Sequence, residues 1–243
     1  AQRYAFQVIH RSIKCKNYFD ISFFAYVSIC TILLALFTSG FMDQITYLAL
    51  GDSYTIGEAV PASASFPVQT TALLREKGIS ITDPQIIAVT GWTTDELNQG
   101  INNASLHPPY TLVTLLIGVN NQYRGRPLEE YRTEFTGLLQ RAIGLAGNKA
   151  TSVTVLSIPD WSVTSFANGQ NINKIASEID AFNAANKEIA AQFGAGYLDI
   201  TGFTREATTD PSLVAADGLH PSGKDYKRWA EALAPLLSQV LEK

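Results

Sequence analysis

At 243 residues the chain is long enough for one large α/β domain or two small ones. Apolar residues make up 46% and charged residues 16%, so a sizeable core can form and general disorder is excluded. The formal net charge of -4 leaves no basic surplus to neutralise phosphates, which argues against nucleic-acid binding. Cys15 and Cys30, the only cysteines, match neither a metal motif nor a disulfide scaffold.

Residues 1–41 differ in character from the rest. Arg3, His10, Arg11, Lys14 and Lys16 form a basic opening, and no charged residue occurs from Ile21 to Met42. That run is long enough to span a bilayer with its basic flank on the cytoplasmic side. Three readings compete: a membrane anchor, a cleaved export signal, and an extension ahead of an enzyme that starts at Met42, the only methionine. Membrane association through residues 21–42 or export follows from the first two, and a cytoplasmic location from the third. The division expected is thus 1–41 as leader and 42–243 as catalytic domain. Without the leader the balance is 14 basic to 21 acidic residues, or -7, which disfavours anionic macromolecules as partners.

Ile45 to Leu50 is an apolar run of strand formers that stops at Gly51, with Ser53 two residues on. Phe66 to Lys77 has helical spacing and Gly78 as a C-terminal stop. Pro84 to Thr90 reads as a second strand ending at Gly91, and Thr93 or Thr94 caps a helix through Asp95, Glu96 and Leu97. Thr111 to Ile117 is a third strand, bounded by Gly118. Pro127 opens a helix that ends near Gly144 or Gly147. Ser152 to Ile158 alternates as a fourth strand, Ile172 to Phe193 is a long helix, and Gly196 to Ile200 is a short fifth strand. The last helix follows Pro221-Ser222-Gly223. Five such alternations predict a parallel sheet covered on both faces. Ligands of such sheets bind beyond the carboxyl ends of the strands, where Ser53, Gly91 and Gly118 all fall.

A serine hydroxyl becomes a useful nucleophile when a neighbouring base takes its proton, and histidine suits that task near neutrality. Outside the leader the only histidines are His107 and His220, and His107 precedes two prolines as a loop residue would. Asp217 lies three residues before His220. In a turn, that spacing lets the carboxylate reach one ring nitrogen while the other points toward Ser53. Attack on an ester also needs donors for the nascent oxyanion. The Ser53 N–H, the Gly91 N–H and the Asn120 side chain are candidates.

Gly51-Asp52-Ser53, Gly91, Gly118-Val119-Asn120 and Asp217-x-x-His220 occur in this order across residues 45–241. The sequence thereby resembles the SGNH (GDSL-type) hydrolases. The resemblance implies a three-layer α/β/α sandwich with a five-stranded, flavodoxin-like parallel sheet. It implies a serine esterase without metal or organic cofactor. Ser53 would be nucleophile, His220 base, Asp217 its orienting acid, and Ser53, Gly91 and Asn120 the oxyanion hole. Tyr54 stands where the family commonly has leucine, and Asn121 where it commonly has aspartate.

The expected partner is a small-molecule ester: a small acyl ester or a lysophospholipid-like substrate. A carbohydrate O-deacetylase and a silent carbohydrate- or lipid-binding module are the alternatives. Tyr54, Val119, Tyr123, Arg124, Trp161, Phe166 and Thr209 are the residues that could border the cleft. The sequence carries no signal for oligomeric state.

Overall fold

A computed structural model describes residues 44–242, so the readings of the leader and of membrane association through residues 21–42 lie outside the described residues. Five strands, β1 (Tyr47–Gly51), β2 (Gln85–Ala88), β3 (Leu112–Leu116), β4 (Val153–Leu156) and β5 (Gly196–Leu198), form one sheet in the order β2-β1-β3-β4-β5. Every pairing is parallel. β1 and β3 are buried along their whole length, as near-continuous apolar runs require when helices cover both faces. All four residues of β4 are buried too, so its alternation does not mark a solvent face.

The long helices are α2 (Phe66–Glu76), α3 (Thr94–Asn103), α5 (Leu128–Leu145), α6 (Ile172–Phe193) and α8 (Gly223–Leu241). α2 packs on α8, while α5 packs on both α3 and α6, giving the outer layers of an α/β/α sandwich. Phe66 of α2 meets Trp229 of α8 at 6.0 Å between ring centroids, and both are fully buried. Thr93 is the N-cap of α3, and its backbone N–H donates to the Glu96 carboxylate at 2.9 Å, closing a capping box. Among the described residues there are also three short α-helices: α1 (Ser53–Ile56), α4 (Val119–Tyr123) and α7 (Thr201–Arg205). None was legible as a helix, because four or five residues hold too little periodicity.

Strands β2 to β5 are all shorter than expected, and the second and fifth are cut by local hydrogen bonding. The Trp92 N–H donates to the Val89 carbonyl at 3.2 Å, turning the chain directly after β2. After β5 the Asp199 carboxylate accepts from the Thr201 N–H at 3.0 Å and starts α7. The chain leaves β1 toward β2 on one side and returns to β3 on the other. The carboxyl ends of β1 and β3 therefore flank the switch point of the sheet, where a crevice opens.

Candidate active site

Ser53 is delivered to this crevice by close packing at the end of β1. A Cβ on Gly51 would lie 2.0 Å from Thr55 Oγ1 and 2.5 Å from the Leu116 carbonyl oxygen, so only glycine fits. Asp52 follows as the N-cap of α1, its Oδ1 accepting from the Tyr54 N–H at 3.0 Å. Ser53 is the first residue of that helix and is buried at the base of the cleft. Burial pushes the Asp52 carboxyl up to about 7, against the opposing effect of the Tyr54 N–H and the Asn120 amide.

Asp217 and His220 come from one small loop, closed at its neck by backbone hydrogen bonds. The Ser222 N–H donates to the Leu213 carbonyl and the Ala215 N–H to the His220 carbonyl, each at 2.7 Å. Gly218 turns the tip with φ +72°, where a side chain would also strike Ser165 Oγ at 2.4 Å. Asp217 Oδ1 accepts from the Leu219 and His220 N–H groups at 3.0 Å each, while Oδ2 lies 2.6 Å from His220 Nδ1. The other ring nitrogen, Nε2, lies 2.9 Å from Ser53 Oγ. The hydroxyl, imidazole and carboxylate thus form one chain of hydrogen bonds. Partial burial works against ionisation of Asp217, yet the donors from His220 and Leu219 hold its carboxyl below the ordinary aspartate range. Tyr54 lays its ring against the imidazole at 4.9 Å between centroids, so the tyrosine in place of leucine buttresses His220.

Two of the three candidate oxyanion donors, Gly91 and Asn120, sit on segments laced together. Gly118 adopts φ +129°, and a Cβ there would meet the Tyr131 ring at 2.5 Å. This residue turns the end of β3 into α4, the short helix that carries Asn120. Asn120 Nδ2 donates to the Trp92 carbonyl at 3.0 Å and lies 3.4 Å from Asp52 Oδ2. The first contact fixes one amide hydrogen. The second is long and weak, so the other hydrogen is only loosely held by Asp52. Next to it, Asn121 is fully buried and does what an aspartate could not. Its Oδ1 accepts from the Thr94 N–H at 3.1 Å, and its Nδ2 donates to Thr94 Oγ1 at 2.6 Å. The Thr94 hydroxyl in turn donates to Glu134. A carboxylate at position 121 would compete with Glu134 for that single hydroxyl proton.

The cleft has a volume of about 80 Å³, is open on one side, and is lined by Tyr54, Val119, Asn120, Tyr123, Trp161, Phe166 and Leu219 together with Ser53 and His220. Tyr123, Trp161 and Phe166 form an aromatic wall with centroids 5.5 to 5.9 Å apart. Two residues expected at the border lie elsewhere. Arg124 is turned away onto the Gly91 carbonyl (2.6 Å) and Glu96 (3.3 Å), and the Thr209 hydroxyl is spent on the Glu206 carbonyl at 3.0 Å. Both prefer these local acceptors to an apolar cleft. Leu219 was missed, although its place beside His220 in the sequence was the available signal.

The model of the GDSL-like lipase/acylhydrolase family matches residues 49–228, which takes in the end of β1, strands β2 to β5 and all of the site residues named so far. The chain belongs to that family. This GDSL-type protein is a carboxylic ester hydrolase of the serine type, acting through an acyl-enzyme. No curated protein matches it in sequence. Solved structures resemble its fold. TesA is 19% identical with a TM-score of 0.62, over 80% of this chain and 99% of TesA. The psychrotrophic esterase EstA from Pseudoalteromonas sp. is 17% identical with a TM-score of 0.60, over 82% of this chain and 99% of EstA. Axe2, an acetylxylan esterase from Geobacillus stearothermophilus, is 18% identical with a TM-score of 0.60, over 79% of this chain and 94% of Axe2.

Proposed function

We propose that this GDSL-type hydrolase cleaves small-acyl esters of uncharged alcohols, with Ser53 as nucleophile, His220 as general base and Asp217 as the acid that orients it. The observation that carries the reading is the unbroken line from Asp217 Oδ2 through His220 to Ser53 Oγ, at 2.6 and 2.9 Å, opening on an apolar cleft. Ser53 Oγ attacks the ester carbonyl as its proton passes to His220 Nε2. The oxyanion is received by the Ser53 and Gly91 N–H groups and by the Asn120 amide hydrogen that Trp92 does not hold. Imidazolium then protonates the departing alkoxide, leaving an acyl-Ser53 ester. Water, deprotonated by the same histidine, releases the acid and restores the serine. Asp217 remains ionised throughout, fixing the tautomer and balancing the imidazolium.

Size and charge of the cleft support a small, neutral substrate. A cavity of about 80 Å³ lies well below the roughly 300–1,000 Å³ usual for small-molecule sites. The described residues that line it include no lysine or arginine to meet a lysophospholipid phosphate. A second reading, removal of acetyl groups from a carbohydrate, draws on Tyr123 and Phe166, whose exposed rings at the rim offer a surface on which a sugar could stack. Axe2, a fold neighbour, is an acetylxylan esterase.

The test is a panel of 4-nitrophenyl esters from acetyl to dodecanoyl, set beside acetylated oligosaccharides, with Ser53→Ala as control. Turnover should peak at short acyl chains and vanish in the control. Acetate release from the oligosaccharides at a higher kcat/KM than from any simple ester would select the second reading. Turnover that survives Ser53→Ala would sink both.

A further inference from the structure

The Asp217 carboxylate takes its orientation from two backbone N–H groups, and the softer support is the Gly218–Leu219 peptide. The N–H of that peptide donates to Asp217 Oδ1 at 3.0 Å. Gly218 stands at φ +72° and has no Cβ, which leaves this peptide the freest in the loop to rotate. A rotation would carry the Leu219 N–H off Oδ1 and loosen the aim of Oδ2 at His220 Nδ1. Asp217 cannot anchor the peptide that is meant to orient it. The other end of the peptide has to be held from elsewhere.

That other end is the Gly218 carbonyl, and it accepts from two donors outside the loop. Ser165 Oγ donates to it at 3.2 Å and the Phe166 N–H at 3.1 Å. We propose that Ser165 is a positioning residue for Asp217: it holds the Gly218–Leu219 peptide by its carbonyl, so that the N–H keeps the carboxylate aimed at His220. The inference rests on the role given to Asp217 under the proposed function.

The segment that carries Ser165 is itself well founded. Asp160 caps the 3₁₀ turn Trp161–Val163, its Oδ1 accepting from the Ser162 N–H at 2.9 Å. Asp160 Oδ2 lies 2.8 Å from Arg205 Nε, with the aspartate side chain 1% exposed, and its N–H donates to Thr204 Oγ1 at 3.1 Å. The Trp161 indole N–H donates to Gln122 Oε1 on α4 at 2.8 Å. One short stretch thus joins α7, α4 and the catalytic loop, and its Trp161 and Phe166 also wall the cleft.

The competing explanation is a surface hydroxyl whose bond water replaces without consequence, for Ser165 is exposed. Replacement by water accounts for a small effect on stability. A mobile water does not fix the angle of a peptide, so the two explanations part on turnover. Thr208 supplies the comparison. Its exposed hydroxyl donates to the Arg205 carbonyl at 2.9 Å, a bond of the same kind within a single turn of chain.

The experiment compares Ser165→Val, Ser165→Thr and Thr208→Ala in the full chain, with 4-nitrophenyl acetate as substrate and melting temperature as a check on folding. Valine and threonine share a shape, and only threonine keeps the hydroxyl. Ser165→Val should lower kcat roughly threefold to tenfold, the worth of one neutral hydrogen bond, with KM and melting temperature nearly constant. Ser165→Thr should recover most of that loss, and Thr208→Ala should stay within about twofold of the parent. In an Asp217→Asn background, with no carboxylate left to orient, Ser165→Val should cost less than about twofold more. Full kcat in Ser165→Val, equal losses in the valine and threonine variants, or an equal loss with and without Asp217→Asn would overturn the inference. Ser53→Ala and Asp217→Asn, run alone, separate this failure from a wider one. If they abolish or cripple turnover while Ser165→Val does not, only the role of Ser165 falls. If they too are fully active, the reading of the site falls with it.

Discussion

The buried carboxylate of Asp52 faces the amide of Asn120 across 3.4 Å, so a titrating group stands directly behind a candidate oxyanion donor. Burial raises the folded-state value of Asp52 to about 7, from an ordinary 3.8. A carboxyl raised in this way binds its proton more tightly in the native state. Its contribution to stability is complete below the unfolded value and is lost as pH rises through about 7. Asp52→Asn should therefore flatten the fall in melting temperature between about pH 4 and pH 7. Thermal melts across that range, parent against variant, check the prediction, and identical slopes would contradict it.

Loss of the Asn120 amide should be expressed in the transition state. Asn120→Ala is expected to lower kcat by a factor on the order of 10²–10³, the usual cost of one oxyanion donor, or about 3 kcal/mol. KM for a small ester should change little. Steady-state kinetics with 4-nitrophenyl acetate will show whether the loss falls on kcat as expected.

Asp217 accepts three hydrogen bonds, two from the backbone of its own loop and one from the His220 ring. An asparagine there could keep the backbone bonds through its oxygen while presenting N–H to Nδ1, which selects the wrong tautomer. Asp217→Asn should lower kcat by a factor on the order of 10⁴ while leaving the fold intact. Circular dichroism alongside the kinetics separates this outcome from loop collapse.

Gly51 and Gly91 should answer differently to the same substitution. At Gly51 the added methyl meets the Leu116 backbone at 2.5 Å, so Gly51→Ala should destabilise the whole sheet by roughly 3 kcal/mol or more. At Gly91 the nearest atom is the end of the Arg124 side chain at 3.6 Å, and the penalty comes from φ +83° alone. Gly91→Ala should keep most of its stability and lose activity, with a cost of about 1–2 kcal/mol to the turn. Urea denaturation and turnover, measured on both variants, distinguish a structural glycine from a functional one.

The sheet was legible because a buried parallel strand must be apolar on both faces, as Leu48 to Leu50 and Leu112 to Leu116 are. The long helices were legible through their ends: α6 runs over the expected Ile172–Phe193, and α8 starts after Ser222, its N-cap. The pairing of Asp217 with His220 could be read because it is local, three residues apart in a turn. Other parts of the site depend on contacts between distant segments. That Arg124 turns to Gly91 and Asn121 to Thr94 follows from α4 packing beside the α3 cap, and no local pattern announces it. The burial of Asp52 was hidden for the same reason. In the sequence it is a turn residue, and only the surrounding sheet makes it a buried acid.

The loop that bears Asp217 and His220 lies beyond the last strand and is anchored by α8, which docks on α2 near the opposite end of the sequence. Emerging from the ribosome, a chain finished only as far as β5 already owns its serine, both glycine turns and the asparagine, but no proton acceptor for the attack. With His220 as the proposed base, hydrolysis has to wait for the final helix to seat, and a partly made molecule lacks the group that would activate its serine.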